Sequence, residues 1–155
     1  MELYGNKTKK VIVTSEFPAA TDEVWKRLQL LETLQYIANP YATFRPLGNT
    51  EMKWSEGQIS RFRLKLFGFI SLGTHTINVI QFDKERLSVY TNERNKTVPV
   101  WNHRILIEKI NENKTLYTDE VEIFAGLITP FVYIWSKAFY KHRQKKWIDL
   151  LENKL

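Results

Sequence analysis

The last quarter of the chain reads AGLITPFVYIWSKAFYKHRQKKWIDLLENKL from Ala125 to Leu155, and its period predicts one long closing helix. Thr129 is placed to cap the helix N-terminus, and Pro130 follows at the first helical position, where a missing N–H costs nothing. Phe131, Trp135, Phe139, Trp147, Leu150 and Leu151 then recur at three- and four-residue steps, while Lys137, Lys141, Lys145 and Lys146 fall largely between them. One face is for a core and the other for water. The apolar face carries large rings, and an aromatic stripe at helical spacing is packing before it is ligand lining.

The upstream residues supply the surface that receives this helix. Lys10 to Phe17 is a β-branched run ended by Pro18, which predicts a first strand. A helix follows, with Thr21 as its cap, Asp22 and Glu23 in its first turn, and Val24, Trp25 and Leu28 as its apolar side. A second short helix, Leu31 to Ile37, stops at Asn39-Pro40, because the residue before proline is disfavoured in the helical region. From Ala42 the period becomes alternating, and strands are predicted at 42–47, 57–67, 70–82, 86–92, 100–110 and 115–124. Gly48-Asn49, Asp83-Lys84-Glu85 and the segment Asn111 to Lys114 are turn chemistry between them. The expected class is α+β, a curved antiparallel sheet wrapped around the long C-terminal helix, with two short helices after strand one. At 155 residues, with no repeat, low-complexity tract or linker, the chain is expected to form a single domain over 1–155.

Composition narrows the chemistry. There is no cysteine, which excludes disulfides, thiol catalysis and thiolate zinc sites. The N-terminus MELYGNKTKK lacks the apolar core of a signal peptide, and no apolar run approaches the ~20 residues of a membrane span, so a cytoplasmic setting is expected. The sequons at Asn6, Asn95 and Asn113 are then chance matches. The net charge of +6 invites a nucleic-acid reading, but the charge is spread along strands and helix without a binding motif. Its densest cluster, Lys141 to Lys146, lies toward a helix C-terminus and reads as a solvated face. Nucleic acid is not an expected partner. No G-x-S-x-G elbow, H-E-x-x-H pair, P-loop or dinucleotide fingerprint occurs, and three histidines far apart make no recognisable metal site, so no metal or cofactor is expected.

Two stretches carry a family resemblance: VIVTSEFPAATDEVWKRL, from Val11 to Leu28, and YTDEVEIFAGLITPFVYIW with the later HRQKKW. With them the chain resembles the START-like (SRPBCC) helix-grip superfamily, which includes birch-pollen-allergen-type proteins and bacterial polyketide cyclase/dehydrase and lipid-transport relatives. The resemblance covers nearly the whole chain. It implies a deep, largely apolar cavity between sheet and final helix, used by relatives to hold sterols, lipids, plant hormones or polyketide intermediates. Because one fold hosts many functions, the lining residues must decide the chemistry.

Strand alternation assigns that lining, since side chains of one parity share a face. Tyr117, Asp119, Val121 and Ile123 form one set, opposed by Thr118, Glu120 and Glu122. Trp101, His103, Ile105 and Ile107 form a second, and His75, Ile77 and Val79 a third. Phe62, Leu64 and Leu66 face in, while Arg61, Arg63 and Lys65 face out. The candidate ligand-lining residues are Tyr36, Phe62, Leu64, Ile77, Trp101, Ile105, Tyr117, Val121, Phe131, Trp135 and Phe139, and the candidate catalytic residues are His75, His103 and Asp119. Each inward polar residue alone reads as a satisfied core group, but as a group on a concave apolar face they match the makeup of a small-molecule site. Ring closure or dehydration of a polyketide needs a base beside a carbonyl and an acid for the enolate, roles that histidine and a buried carboxyl can fill. The leading expectation is a protein that binds a hydrophobic small molecule, with polyketide-cyclase-like acid–base chemistry as the enzymatic version. The alternative is a non-catalytic interaction module whose core is filled by its own aromatics and which docks a protein partner or a second copy.

Overall fold

The computed structural model describes residues 7–153. Its elements are β1 (Lys9–Phe17), α1 (Thr21–Leu28), α2 (Leu31–Ala38), β2 (Ala42–Pro46), β3 (Ile59–Leu66), β4 (Ile70–Asp83), β5 (Ser88–Arg94), β6 (Val100–Asn111), β7 (Lys114–Phe124) and α3 (Thr129–Asn153). A 3-10 turn at Gly126–Ile128 precedes α3. Two expectations, the end of the closing helix at Leu155 and the sequon at Asn6, fall outside the described residues.

The seven strands form one antiparallel sheet in the order β1-β7-β6-β5-β4-β3-β2, so the first strand pairs with the last. The expected helix-grip class holds, with strand ends moved by one or two residues. The sheet bends partly through two bulges in β4. Leu64 pairs Gly73 while Lys65 pairs Ser71, leaving Leu72 as the extra residue, and Val79 pairs Thr91 while Gln81 pairs Tyr90, leaving Ile80. A bulge increases twist and reverses parity beyond it. Before Ile80 the buried residues are His75, Ile77 and Val79; after it Phe82 packs on the core side.

Both expected threonine caps differ in the structure. Helix α1 starts one residue earlier, because the Ala20 carbonyl accepts from Glu23 N at 3.1 Å and Val24 N at 3.2 Å, so Thr21 lies inside the first turn and Ala20 makes no side-chain cap. Thr129 is itself helical: its Oγ1 accepts from Ala125 N (2.9 Å) and donates to Gly126 O (2.7 Å), stitching the 3-10 turn to the helix. Gly126 has φ +61, a left-handed conformation that glycine adopts without steric cost.

Helix α3 buries Ser136, Phe139, Tyr140, Arg143, Gln144, Trp147, Leu150 and Leu151. The stretch Lys141 to Lys146 is therefore not one solvated face. Lys141 and Lys145 are exposed and Lys146 lies over the Tyr36 ring at 4.2 Å, but Arg143 and Gln144 sit three and four residues from both Tyr140 and Trp147 and so turn inward with them. Phe131 also departs from its expected inward position, being 74% exposed alongside Leu127 and Ile134. The 3-10 turn separates the end of β7 from the helix, and within α3 continuous burial begins only at Ser136. Two clusters fill the interior: Phe44, Phe62, Trp101, Phe139 and Tyr140 belong to one, and Phe17, Trp25, Tyr117 and Trp147 to the other.

Candidate functional site

Alternation places every inward residue named above on the concave side: His75, His103 and Asp119 are buried, as are Ile77, Trp101, Ile105, Tyr117 and Val121. The polar members form two linked groups. In the first, Glu93 Oε1 accepts from His75 Nε2 at 2.8 Å and Glu93 Oε2 accepts from Thr91 Oγ1 at 2.8 Å. Asn95 Oδ1 accepts from the amides of Thr97 and Val98, which turns its amide nitrogen toward His75 Nδ1 at 3.0 Å. His75 Nδ1 must then accept, so its hydrogen resides on Nε2 and points at Glu93, a tautomer assigned from the network. In the second group, Asp119 Oδ1 accepts from His103 Nε2 at 2.6 Å and Oδ2 accepts from Gln144 Nε2 at 3.0 Å. Gln144 is locked because Ser15 Oγ donates to its Oε1 at 2.6 Å and its Nε2 also reaches Val13 O at 2.8 Å. The groups meet where His103 Nδ1 lies 3.9 Å from Glu93 Oε2, too far for a direct hydrogen bond.

A cavity of about 60 Å³ opens beside this meeting point. Ile77, Val79, Phe82, Val89, Thr91, Glu93, Trp101, His103 and Ile105 line it from the sheet. Phe44 of β2 adds to the sheet side, Leu28, Thr33, Leu34 and Ile37 of α1 and α2 and Trp54 of the 47–58 segment line the rest, and Arg143 of α3 completes it. The segment carrying Trp54 is strapped to the helices by Leu31 N to Met52 O (2.9 Å) and Trp54 N to Gln29 O (2.8 Å). A wider groove of about 600 Å³ lies elsewhere, on the outer sheet face, and several of its polar side chains are spent on one another: Asn92 donates to Asn102 at 2.8 Å, and Asn102 to Glu122 at 3.1 Å. The smaller cavity is the one with convergent buried polar atoms.

Of the residues singled out from the sequence, Ile77, Trp101, His103 and Ile105 line the cavity. His75 and Asp119 stand behind it as hydrogen-bond partners of Glu93 and His103. Phe62, Leu64, Tyr117, Val121 and Phe139 are buried packing, Trp135 is half-buried against Phe139 with ring centroids 4.6 Å apart, Tyr36 supports Lys146, and Phe131 is at the surface. Glu93, Thr91, Arg143 and Gln144 complete the site without any sequence motif of their own. Glu93 has the parity of Val89 and Thr91 and lay one residue past the expected strand end. Among the described residues no cluster of three or more His, Asp or Glu has the arrangement to hold a metal.

Burial alone would raise the Glu93 carboxyl, but the hydrogen bond and electrostatic influence of His75, the nearby His103 and the Thr91 hydroxyl outweigh it and hold the group below its ordinary 4.5. A carboxyl depressed by folding stabilises the native state above its unfolded value and loses that contribution as pH falls through the folded value. The wild-type melting temperature is therefore expected to drop below pH 4.5 more steeply than that of Glu93→Gln. Circular-dichroism melts from about pH 3 to 6 check this, and parallel curves would remove Glu93 as an acid-sensitive element.

The family model described as Domain of unknown function (DUF8410) matches residues 15–150. The chain belongs to that family. No curated protein matches it. Among solved structures, the DUF8410 chain is similar to a START superfamily protein from Mycobacterium smegmatis, with 16% identity, a TM-score of 0.71, and coverage of 94% of this chain and 99% of that one. It is also similar to norcoclaurine synthase from Thalictrum flavum, solved with dopamine and hydroxybenzaldehyde (13%, TM-score 0.70, 94% and 87% covered). The protein TTHA0849 from Thermus thermophilus gives 12% identity, a TM-score of 0.71 and coverage of 94% and 99%. At these identities the likeness establishes the fold, which is START-like. Among the described residues no helix is long and apolar enough to cross a membrane.

Proposed function

We propose that this DUF8410 chain acts as one START-like domain that binds a hydrophobic small molecule between its sheet and helices. One observation carries the reading: an apolar cavity into which Thr91, Glu93, His103 and Arg143 converge from three different elements. Its ~60 Å³ has room for about two waters, well under the several hundred Å³ of a drug-sized site, so a larger ligand enters by displacing a wall. The sheet side is held by ladder hydrogen bonds. The side proposed to yield is that of Leu34 and Trp54, whose segment is tied by the two backbone bonds above and a bridge between Leu30 and Lys53 rather than by a strand ladder. Of the acid–base candidates, His103 alone lines the cavity, with Asp119 fixing its ring, so polyketide-cyclase-like chemistry would fall to His103 as base.

The small cavity volume favours a second reading, a filled-core interaction module that docks a protein partner. Thermal shift and tryptophan quenching against a panel of lipids, sterols and aromatic polyketide analogues separate the two. Binding is expected, with larger ligands gaining affinity in Trp54→Ala because that change enlarges the wall. If neither wild type nor Trp54→Ala responds to any member, the interaction module replaces ligand binding. Cyclisation of a poly-β-ketone analogue that His103→Gln slows by ~10²-fold or more would add the enzyme, whereas rates equal to buffer leave a carrier.

A further inference from the structure

Arg143 is 6% exposed, lines the cavity, and has no hydrogen-bond partner for its Nε. The ion pairs among the described residues leave it out. What it does touch is aromatic: its guanidinium carbon lies 4.9 Å from the Tyr140 ring centroid and 5.6 Å from that of Phe139. Rings satisfy the face of a guanidinium and leave its N–H edge unspent, and that edge is the part matched to a carboxylate.

Glu93 and Asp119 face the same interior, and both already accept from nearer donors: Glu93 from His75 and Thr91, Asp119 from His103 and Gln144. Burial works against the Arg143 proton, but the Tyr140 hydroxyl, Asp119, the Tyr117 hydroxyl and Glu93 act on it through space and hold that proton in place. None of this gives its N–H groups a partner. A buried cation without one is destabilising and is ordinarily retained where something else completes it.

We propose that Arg143 anchors the carboxylate of an amphipathic monocarboxylic acid, the acid head taking the guanidinium edge and the apolar tail running along Leu34, Ile37 and Trp54. This rests on the ligand-binding reading and names the ligand's class. A two-point guanidinium–carboxylate pair away from water discriminates against a neutral isostere by at least ~10-fold.

The test titrates hexanoate and hexanamide into the full chain by calorimetry, alongside their effect on the melt. Wild type is expected to prefer hexanoate by ~10-fold or more. Arg143→Met should erase that preference and raise the melting temperature of the ligand-free protein, a gain that a purely structural arginine would not give. Arg143→Lys keeps the charge without the fork and should retain only part of the preference, which covers failure of the methionine variant to fold. Hexanamide binding wild type as tightly as hexanoate, or absence of hexanoate binding, overturns the anchor. If neutral hydrophobic compounds still shift the melt, ligand binding survives that result. If nothing does, both fall.

Discussion

Ending the chain at Ile128 is expected to give a fragment with no cooperative unfolding transition. Helix α3 contributes Phe139, Tyr140, Trp147, Leu150 and Leu151 to the core, all buried. At ~2 kcal/mol each they supply on the order of 10 kcal/mol, comparable with the 5–15 kcal/mol stability of a whole domain. The loss is wider than those side chains, because the concave sheet face they cover would be left wet. Gln144 goes as well, and with it the donors to Asp119 Oδ2 and Val13 O and the acceptor for Ser15. Residues 1–128 should melt without a sigmoid in circular dichroism and give poorly dispersed amide resonances. A sharp thermal transition from that fragment would show that the sheet stands alone and that α3 is an accessory.

The fold was legible because two periods divide the chain cleanly. Alternation from Ala42 to Phe124 and three-to-four spacing from Thr129 onward leave few ways to bury both apolar faces, and the observed sheet-around-helix arrangement is among them. The same alternation carried the inward positions of His75, His103 and Asp119, since parity is set by backbone geometry alone. It could not place Phe82, because the bulge at Ile80 reverses the parity and nothing in the local residues announces it. The inward position of Arg143 is hidden for a different reason. Residue type argued for water, while its angular position beside Tyr140 and Trp147 argued for the core, and position won. The threonine caps failed because a cap depends on where the chain enters the helix, a matter of one residue that Ala20 and the turn at Gly126 decide. Half of the candidate site was therefore readable from strands, and the charged half contributed by β5 beyond Asn92 and by α3 was not.

Asp119→Ala is expected to be among the most costly single substitutions in the molecule, at about 3–5 kcal/mol. The residue is 1% exposed, and both oxygens are engaged, by His103 at 2.6 Å and Gln144 at 3.0 Å. Removing the carboxylate leaves two donors pointing into a gap. Neither can turn away, since Gln144 is pinned by Ser15 and Val13, and the His103 ring packs against Tyr140 with centroids 4.9 Å apart. Asp119→Asn should cost less, about 1–3 kcal/mol: its oxygen can still accept from one donor, but its amide then confronts the other. A measurable cost for Asn distinguishes a hydrogen-bonding role from simple volume, because Asn fills the same space and would cost nothing if volume alone mattered. Urea denaturation of the two variants and of His103→Ala, together with the Asp119→Ala/His103→Ala double variant, completes the measurement. A coupling energy of about 1–3 kcal/mol between the two positions is expected. Strict additivity, or an Asp119→Ala cost under ~1 kcal/mol, would mean that the pair does not hold this part of the core together, and the reading of Asp119 as the residue that orients His103 would have to be abandoned.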